Sequence, residues 1–226
     1  MARKRARYEL YYWPSIQGRG EFVRLALEDA GADYVDVARK KNGVELMLKK
    51  LKQHHVFAPP FLCHGKVVVA QTALILHYLG PRLGLAPKSQ HAQVKLLQLQ
   101  LTITDFLVEV HDTHHPIANS LYYEEQKAES LRRAKLFREQ RIAKFLGYFE
   151  TQATQPFSYV SLSLFQVMEG LQYAFPNTMK KMSYKSLSRL QESVQRRKNI
   201  AAYLASKRRI PFNQSGLFRH YPELDG

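Results

Sequence analysis

A single change in hydrophobic period along the chain narrows its possible folds more than any other feature. Up to Gly80, segments of period two alternate with segments of helical period; beyond Gln90 only the helical period recurs. Tyr8, Leu10 and Tyr12 alternate with Glu9, Tyr11 and Trp13, which puts the two sets on opposite faces of a strand, and Pro14 stops it. Gly18-Arg19-Gly20-Glu21 then opens a helix in which Phe22, Leu25, Ala26 and Ala30 share a face, with Gly31 as its stop. Residues 34–37 read as a second strand and 45–51 as a short cationic helix. Phe61-Leu62-Cys63 and Val67-Val68-Val69 form a hairpin around His64-Gly65-Lys66. A helix from Thr72 through Leu76 and Leu79 to Gly80 completes a compact α/β unit.

Gly80-Pro81, Gly84 and Pro87 then mark a linker. Leu96, Leu97, Leu99, Leu101, Ile103, Phe106, Leu107 and Val110 follow a helical period, as do Leu131, Ala134, Phe137, Ile142, Phe145 and Leu146. A further helix begins near Ser158, holds Leu162, Phe165, Gln166, Glu169 and Tyr173, and ends at Pro176. The second part is therefore expected to be all-helical.

Charge is the oddest aspect of the composition. Thirty-four Lys and Arg against 19 Asp and Glu leave a net +15, a field that favours anionic small molecules, nucleic acid and acidic surfaces alike. Arg3, Lys4, Arg5 and Arg7 crowd the start, and ten basic residues between Lys180 and Arg209 face one acid, Glu192. Such runs are most often solvated helix faces. No nucleic-acid-binding motif accompanies them, so nucleic acid is not an expected partner. Every apolar run falls short of the roughly 18–20 residues that a membrane span needs. The basic start leads straight into a strand pattern, so neither a membrane nor a secretory route is expected. The lone Cys63 excludes an internal disulfide framework and points to a reducing cytoplasm.

Four constellations could carry chemistry. The strand end Tyr11-Tyr12-Trp13-Pro14-Ser15 runs into the helix start at 18–21, where unpaired N–H groups make a natural anion site. Tyr12 is there either a core tyrosine beside a turn or a hydroxyl donor to a developing anion, with Arg19 beside it. Ala58-Pro59-Pro60-Phe61 is either a rigid turn or a cis peptide that exposes the backbone before it. At the strand–helix junction Thr72 is a simple N-cap, or Gln71 and Thr72 together hold a ligand's carboxylate and amine. His111, His114 and His115 could converge on a metal, but pocket lining or helix-end capping is the plainer reading and no metal is expected. Asp105 and Glu109 lie one turn apart on the helix that leads there. Cys63 sits on a buried strand and is expected to be inert.

In this order and spacing the motifs resemble the glutathione transferase family, from Tyr8 to the Phe218-Arg219-His220-Tyr221-Pro222 tail. The stretch Gln17-Gly18-Arg19-Gly20-Glu21-Phe22-Val23-Arg24 looks most like the tyrosine-type classes, sigma, alpha, mu and pi. The resemblance implies a thioredoxin-like glutathione-binding domain over residues 1–84 and an all-helical domain over 91–226. It also implies a cytoplasmic homodimer that attaches glutathione to a small electrophile in detoxification, with glutathione as the co-substrate. Residue by residue, it makes Tyr12 the donor to the glutathione sulfur and puts Arg19 beside that hydroxyl. Pro60 would be the cis-proline, and Gln71 and Thr72 would hold the γ-glutamyl end. Lys50 or Lys52 would meet the glycyl carboxylate, and Asp105 or Glu109 would reach the glutathione amino group of the partner subunit's site. Trp13, Phe106, His111 and His115 would line the second-substrate pocket, with Trp13 also beside glutathione.

Three departures stand out. Pro59 takes the position whose N–H and C=O normally pair with the cysteinyl part of glutathione, and proline has no N–H. The missing bond costs about 0.5–1.5 kcal/mol if nothing replaces it. One extra residue lies between Pro14 and Gly18, enough to shift Arg19 or bring Ser15 towards the sulfur. Ser161 stands where an aspartate usually completes the helix cap begun by Ser158, so the reciprocal carboxylate contact is expected to be lost. Pro59 and the charge favour the alternative of a non-catalytic module on the same fold that docks anionic ligands or partners. Tyr12, Arg19, Gln71 and Thr72 favour the enzyme.

Overall fold

The computed structural model describes residues 7–226; Arg3, Lys4 and Arg5 of the basic start lie outside the described residues. The elements run β1 (Tyr8–Tyr11), α1 (Gly20–Asp29), β2 (Tyr34–Asp36), α2 (Gly43–Gln53), β3 (Phe61–His64), β4 (Val67–Ala70) and α3 (Thr72–Leu83). Helices follow: α4 (Gln90–Asp112), α5 (Lys127–Leu136), α6 (Ile142–Gln152), α7 (Tyr159–Ala174), α8 (Pro176–Lys180), α9 (Lys185–Gln195), α10 (Lys198–Leu204) and α11 (Pro222–Asp225). The chain forms two compact units, Met1–Gln98 with Arg197–Ile210, and Leu99–Arg196 with Pro211–Gly226. No described helix is long and apolar enough to cross a membrane.

The first unit is thioredoxin-like. Its sheet has the order β2-β1-β3-β4, with β1 and β2 parallel and the other two pairs antiparallel. The period of two sorts the strand residues by face. Leu10, Leu62 and Val69 pack with Val23 and Leu27 of α1 and with Ile75 and Leu79 of α3. Tyr11, Phe61 and Cys63 pack on the other face with Val37 and Ala38, which follow β2, and with Met47 of α2. Several local expectations change. β1 ends at Tyr11, so Tyr12 and Trp13, read as strand residues, lie beyond it. The hairpin turn is only Gly65-Lys66, with Gly65 at φ 62°, so His64 belongs to β3. The helix read over 45–51 extends to Gly43–Gln53. Nor is Gly80-Pro81 a break. Pro81 removes one late hydrogen bond but α3 continues to Leu83, and Gly84 at φ 71° ends it as Leu85 N–H returns to Gly80 O at 2.8 Å.

Packed on α1, α10 and its flanks close a buried charged knot. Glu21 and Arg24 are fully buried one helical turn apart. Arg24 donates from Nε to Asp36 at 2.7 Å, and from its Nη atoms to Glu21 and to the carbonyls of Trp13, Ile16 and Gln17 at 3.2–3.4 Å. Glu21 also accepts from the Tyr203 hydroxyl and from Arg209, both at 2.6 Å. Arg197 and Arg208 pair with Asp29 and Glu28. Solvated faces thus describe part of the basic run only, because three of its arginines neutralise acids of α1.

The second unit is helical throughout. Phe106 stacks on Phe145 at 4.3 Å between ring centroids and packs against Phe137 and Phe149. A π turn at Phe137–Arg141 joins α5 to α6, so the single helical period read from Leu131 to Leu146 is two helices in different phase. That shift leaves Leu131 and Leu136 outside while Phe137, Ile142 and Leu146 are buried. The α7 cap is complete after all. Ser161 Oγ accepts from Ser158 N–H at 3.1 Å, a hydroxyl doing the work of the missing carboxylate.

The knot makes a stability prediction. Arg24→Leu removes the cation shared by buried Glu21 and nearly buried Asp36, leaving Glu21 only Arg209 and Tyr203, and is expected to cost about 3–5 kcal/mol, read as a lower urea midpoint. A loss under 1 kcal/mol would show that Arg209 and Tyr203 carry Glu21 without it.

Candidate functional site

The register of the sheet brings three scattered sequence positions to one end. Tyr11 pairs with Phe61, and Phe61 with Ala70, so they form one row across β1, β3 and β4. Their chain neighbours Tyr12, Pro60 and Gln71 therefore emerge together at that end of the sheet. The Pro59–Pro60 bond is cis.

Tyr12 turns back over the start of α1. Its ring lies against Gly18 and Gly20, where any Cβ would overlap it. The hydroxyl oxygen accepts Arg19 N–H at 2.9 Å, one of the orphan donors of the helix start. Burial raises the Tyr12 pKa, partly opposed by Arg19 and Arg24, so the side chain stays a neutral phenol at physiological pH. A phenol whose oxygen already accepts has its proton left to donate. Arg24 adds a cation 5.7 Å from the ring centroid and, through the Trp13, Ile16 and Gln17 carbonyls, holds the loop that contains the extra residue. In that loop Trp13 is 39% exposed, and Ser15 is exposed as well.

The start of α3 meets the same place. Gln71 is its exposed N-cap residue at φ 68°, a conformation side chains rarely adopt, and Thr72 is the first helical residue rather than the cap. The Thr72 hydroxyl reaches Arg19 O at 3.5 Å, which joins the N-termini of α1 and α3. Tyr12, Arg19 and Thr72 are thus linked directly, with Gln71 next in chain. Of the two lysines, Lys50 is half-buried and near enough to Cys63 to act on its thiol, while Lys52 is exposed. Burial and Glu9 nonetheless raise the Cys63 thiol, which keeps it protonated.

The remaining expected residues belong to the second unit. Phe106 is fully buried in the aromatic core, so it is no pocket wall. Glu109 is held by Arg141 through Nε and Nη2 at 2.7–3.1 Å, with Arg133 3.7 Å away, so its carboxylate is already occupied within its own chain. Asp105 is exposed and flanked on the same helix face by half-exposed Leu101 and Val108. His111 and His115 are half-buried and meet His114 ring to ring. Burial, reinforced by Arg219 and His111, lowers the His115 pKa to about 4.

Sequence reading missed Glu21, Arg24, Asp36, Tyr203 and Arg209 as a group. The available signal was a pair of opposite charges three apart inside the helix 20–29, where Phe22, Val23, Leu25, Ala26 and Leu27 leave no polar face.

This topology is that of a glutathione transferase-type scaffold. Residues 111–207 match the family described as glutathione S-transferase, C-terminal domain. The pi-class glutathione S-transferase of Onchocerca volvulus superposes at a TM-score of 0.71, with 20% identity over 92% of this chain and 98% of that one. The Ascaris lumbricoides glutathione S-transferase gives 0.67, with 21% identity over 92% and 98%. The prostaglandin synthase D of Nilaparvata lugens gives 0.71, with 17% identity over 91% and 100%. No curated protein matches the sequence. The chain therefore has the glutathione S-transferase fold, and the match over residues 111–207 is to the C-terminal domain of those proteins.

Because Gly18 lacks a Cβ where the Tyr12 hydroxyl sits, Gly18→Ala is expected to expel that hydroxyl and release the Arg19 amide. Amide exchange followed by NMR should show Arg19 losing protection; an unchanged amide would mean that Tyr12 is not what protects it.

Proposed function

We propose that the protein is a glutathione transferase in which Tyr12 donates a hydrogen bond to the glutathione sulfur and so favours the thiolate. The observation that carries the reading is the Tyr12 hydroxyl, its oxygen committed to Arg19 N–H and its proton available. A free thiol of pKa about 8.5 is only a few per cent ionised at neutral pH. Lowering it by about 2 units takes roughly 2.7 kcal/mol of preferential anion stabilisation. The Tyr12 O–H, the dipole at the start of α1 and the Arg19 charge are suited to supply that together. The first N–H groups of α3, with Gln71 and Thr72, suit the carboxylate and amine of the γ-glutamyl end. Lys50 or Lys52 suits the glycyl carboxylate. Trp13 offers an aromatic wall to the electrophile, which the sulfur attacks as its leaving group departs. The lone buried cysteine fits a cytoplasmic setting.

We assign the protein as a homodimer closed through the exposed face of α4. Leu101 and Val108 support that assignment as its apolar contacts, and Asp105, rather than the occupied Glu109, is the acid free to serve a partner's glutathione. A second reading, a non-catalytic anion-binding module, is favoured by Pro59, which can accept from the cysteinyl N–H but cannot donate to its carbonyl.

Two measurements separate the readings. Tyr12→Phe is expected to keep glutathione affinity within a few-fold while slowing conjugation to an activated aryl halide by about 100-fold, the scale of a single donor to a developing anion. Equal rates would remove Tyr12 from the chemistry, and no turnover by the parent protein would favour the module. Pro59→Val restores a backbone donor and is expected to tighten glutathione several-fold in calorimetry, in line with one neutral bond at about 1 kcal/mol. Equal or weaker binding would show that the site already compensates.

A further inference from the structure

One cluster with ligand chemistry takes no part in the proposed reaction. Beyond Asp112 the chain makes one more turn, with His114 N–H and His115 N–H both returning to His111 O at 3.2 and 3.1 Å. The three imidazoles consequently converge, their ring centroids 4.8–5.1 Å apart. One nitrogen from each lies within 4.8 Å of the others. His114 is buried, and its Nε2 lies 3.0 Å from the Leu217 carbonyl, which can only accept. Nε2 therefore carries the ring's proton, and Nδ1 presents a lone pair towards His115 Nδ1, 2.6 Å away. A backbone carbonyl that holds the far proton and aims the near nitrogen is the arrangement that orients a metal-bound histidine.

We propose that His111, His114 and His115 form a binding site for one borderline divalent transition-metal ion, with Zn2+ as the representative case. Three imidazoles suit Zn2+, Ni2+ or Cu2+ and do not suit Mg2+ or Ca2+, which take oxygen ligands. Bonds of about 2.0–2.1 Å to a tetrahedral ion set the nitrogens roughly 3.3 Å apart. The His114–His115 pair need only open slightly while His111 closes in. His115 then moves its proton from Nδ1 to Nε2, so a neutral ring binds without net proton loss, and water fills the fourth position. Nearby charges act on the ion in opposite senses, and Asp112 is itself paired with Arg133 at 3.9 Å. Arg219, close enough to disfavour charge on His114 and His115, opposes it, and Asp112, 3.8 Å from His111 Nδ1, favours it. Micromolar affinity is expected.

The site is independent of the transferase reading and is tested with metal alone. Untagged, chelator-treated full-length protein is titrated with Zn2+ by calorimetry, and separately with Co2+ followed by visible absorption. The expected result is one saturable Zn2+ site per chain and the intense bands of tetrahedral Co2+. His111→Ala and His115→Ala, each checked for folding by circular dichroism, should weaken binding at least tenfold, and Arg219→Gln should tighten it. The double variant His54→Ala/His55→Ala, which changes the other adjacent pair, should bind as the parent does. The proposal is overturned by the absence of saturable binding at micromolar metal, by binding that survives both His111→Ala and His115→Ala, or by binding lost in the His54/His55 control.

Discussion

The buried guanidinium of Arg24 is the interaction on which the rest of the first unit depends. A cation with no solvent contact is tolerable only if its charge and all its donors are matched. Here Glu21 and Asp36 supply the charge, and three loop carbonyls, those of Trp13, Ile16 and Gln17, take up donors of its Nη atoms. Burial works against the charged form, but the two acids outweigh it and hold the Arg24 pKa above its ordinary value. The loop between β1 and α1 is therefore tied to a fixed point behind it. Because that loop delivers Tyr12 and Arg19, the geometry of the proposed sulfur site is inherited from an ion pair buried behind it.

The same knot explains what the basic C-terminal stretch does. Of its arginines, Arg196 meets Glu192 in an exposed pair one turn apart, the solvated face expected of such runs. Arg197, Arg208 and Arg209 instead meet Asp29, Glu28 and Glu21, so charge that looked available to a polyanion is spent within the fold. This weakens the electrostatic argument for a docking module without touching the argument from Pro59.

Legibility in the sequence followed the range of the interactions. The strands, α1 and the all-helical second part were readable because period and local stops are local signals. Tyr12, Gln71 and Thr72 were readable as candidates because a strand end or a helix start is marked by Pro14, Gly18 and the polar junction itself. What escaped was either a local irregularity without a sequence mark or was decided elsewhere in the chain. The π turn at Phe137–Arg141 changes phase inside a continuous apolar pattern. Glu109 looked free until Arg141, far along the sequence, occupied it. Phe106 carries the same signal whether it lines a pocket or fills a core, and packing against Phe137, Phe145 and Phe149 decided for the core. Ser161 shows the converse: a change from the usual acid looked like a lost contact, yet the hydroxyl preserves it.

The central claim is electrostatic: a neutral tyrosine at a helix N-terminus makes bound glutathione ionise more readily than free glutathione. Ultraviolet difference absorbance of the thiolate, recorded on the wild-type complex as pH is varied, reads that directly. The account predicts a midpoint about 2 units below the free thiol value near 8.5. A midpoint equal to that of free glutathione, in a complex shown to be saturated, would contradict it.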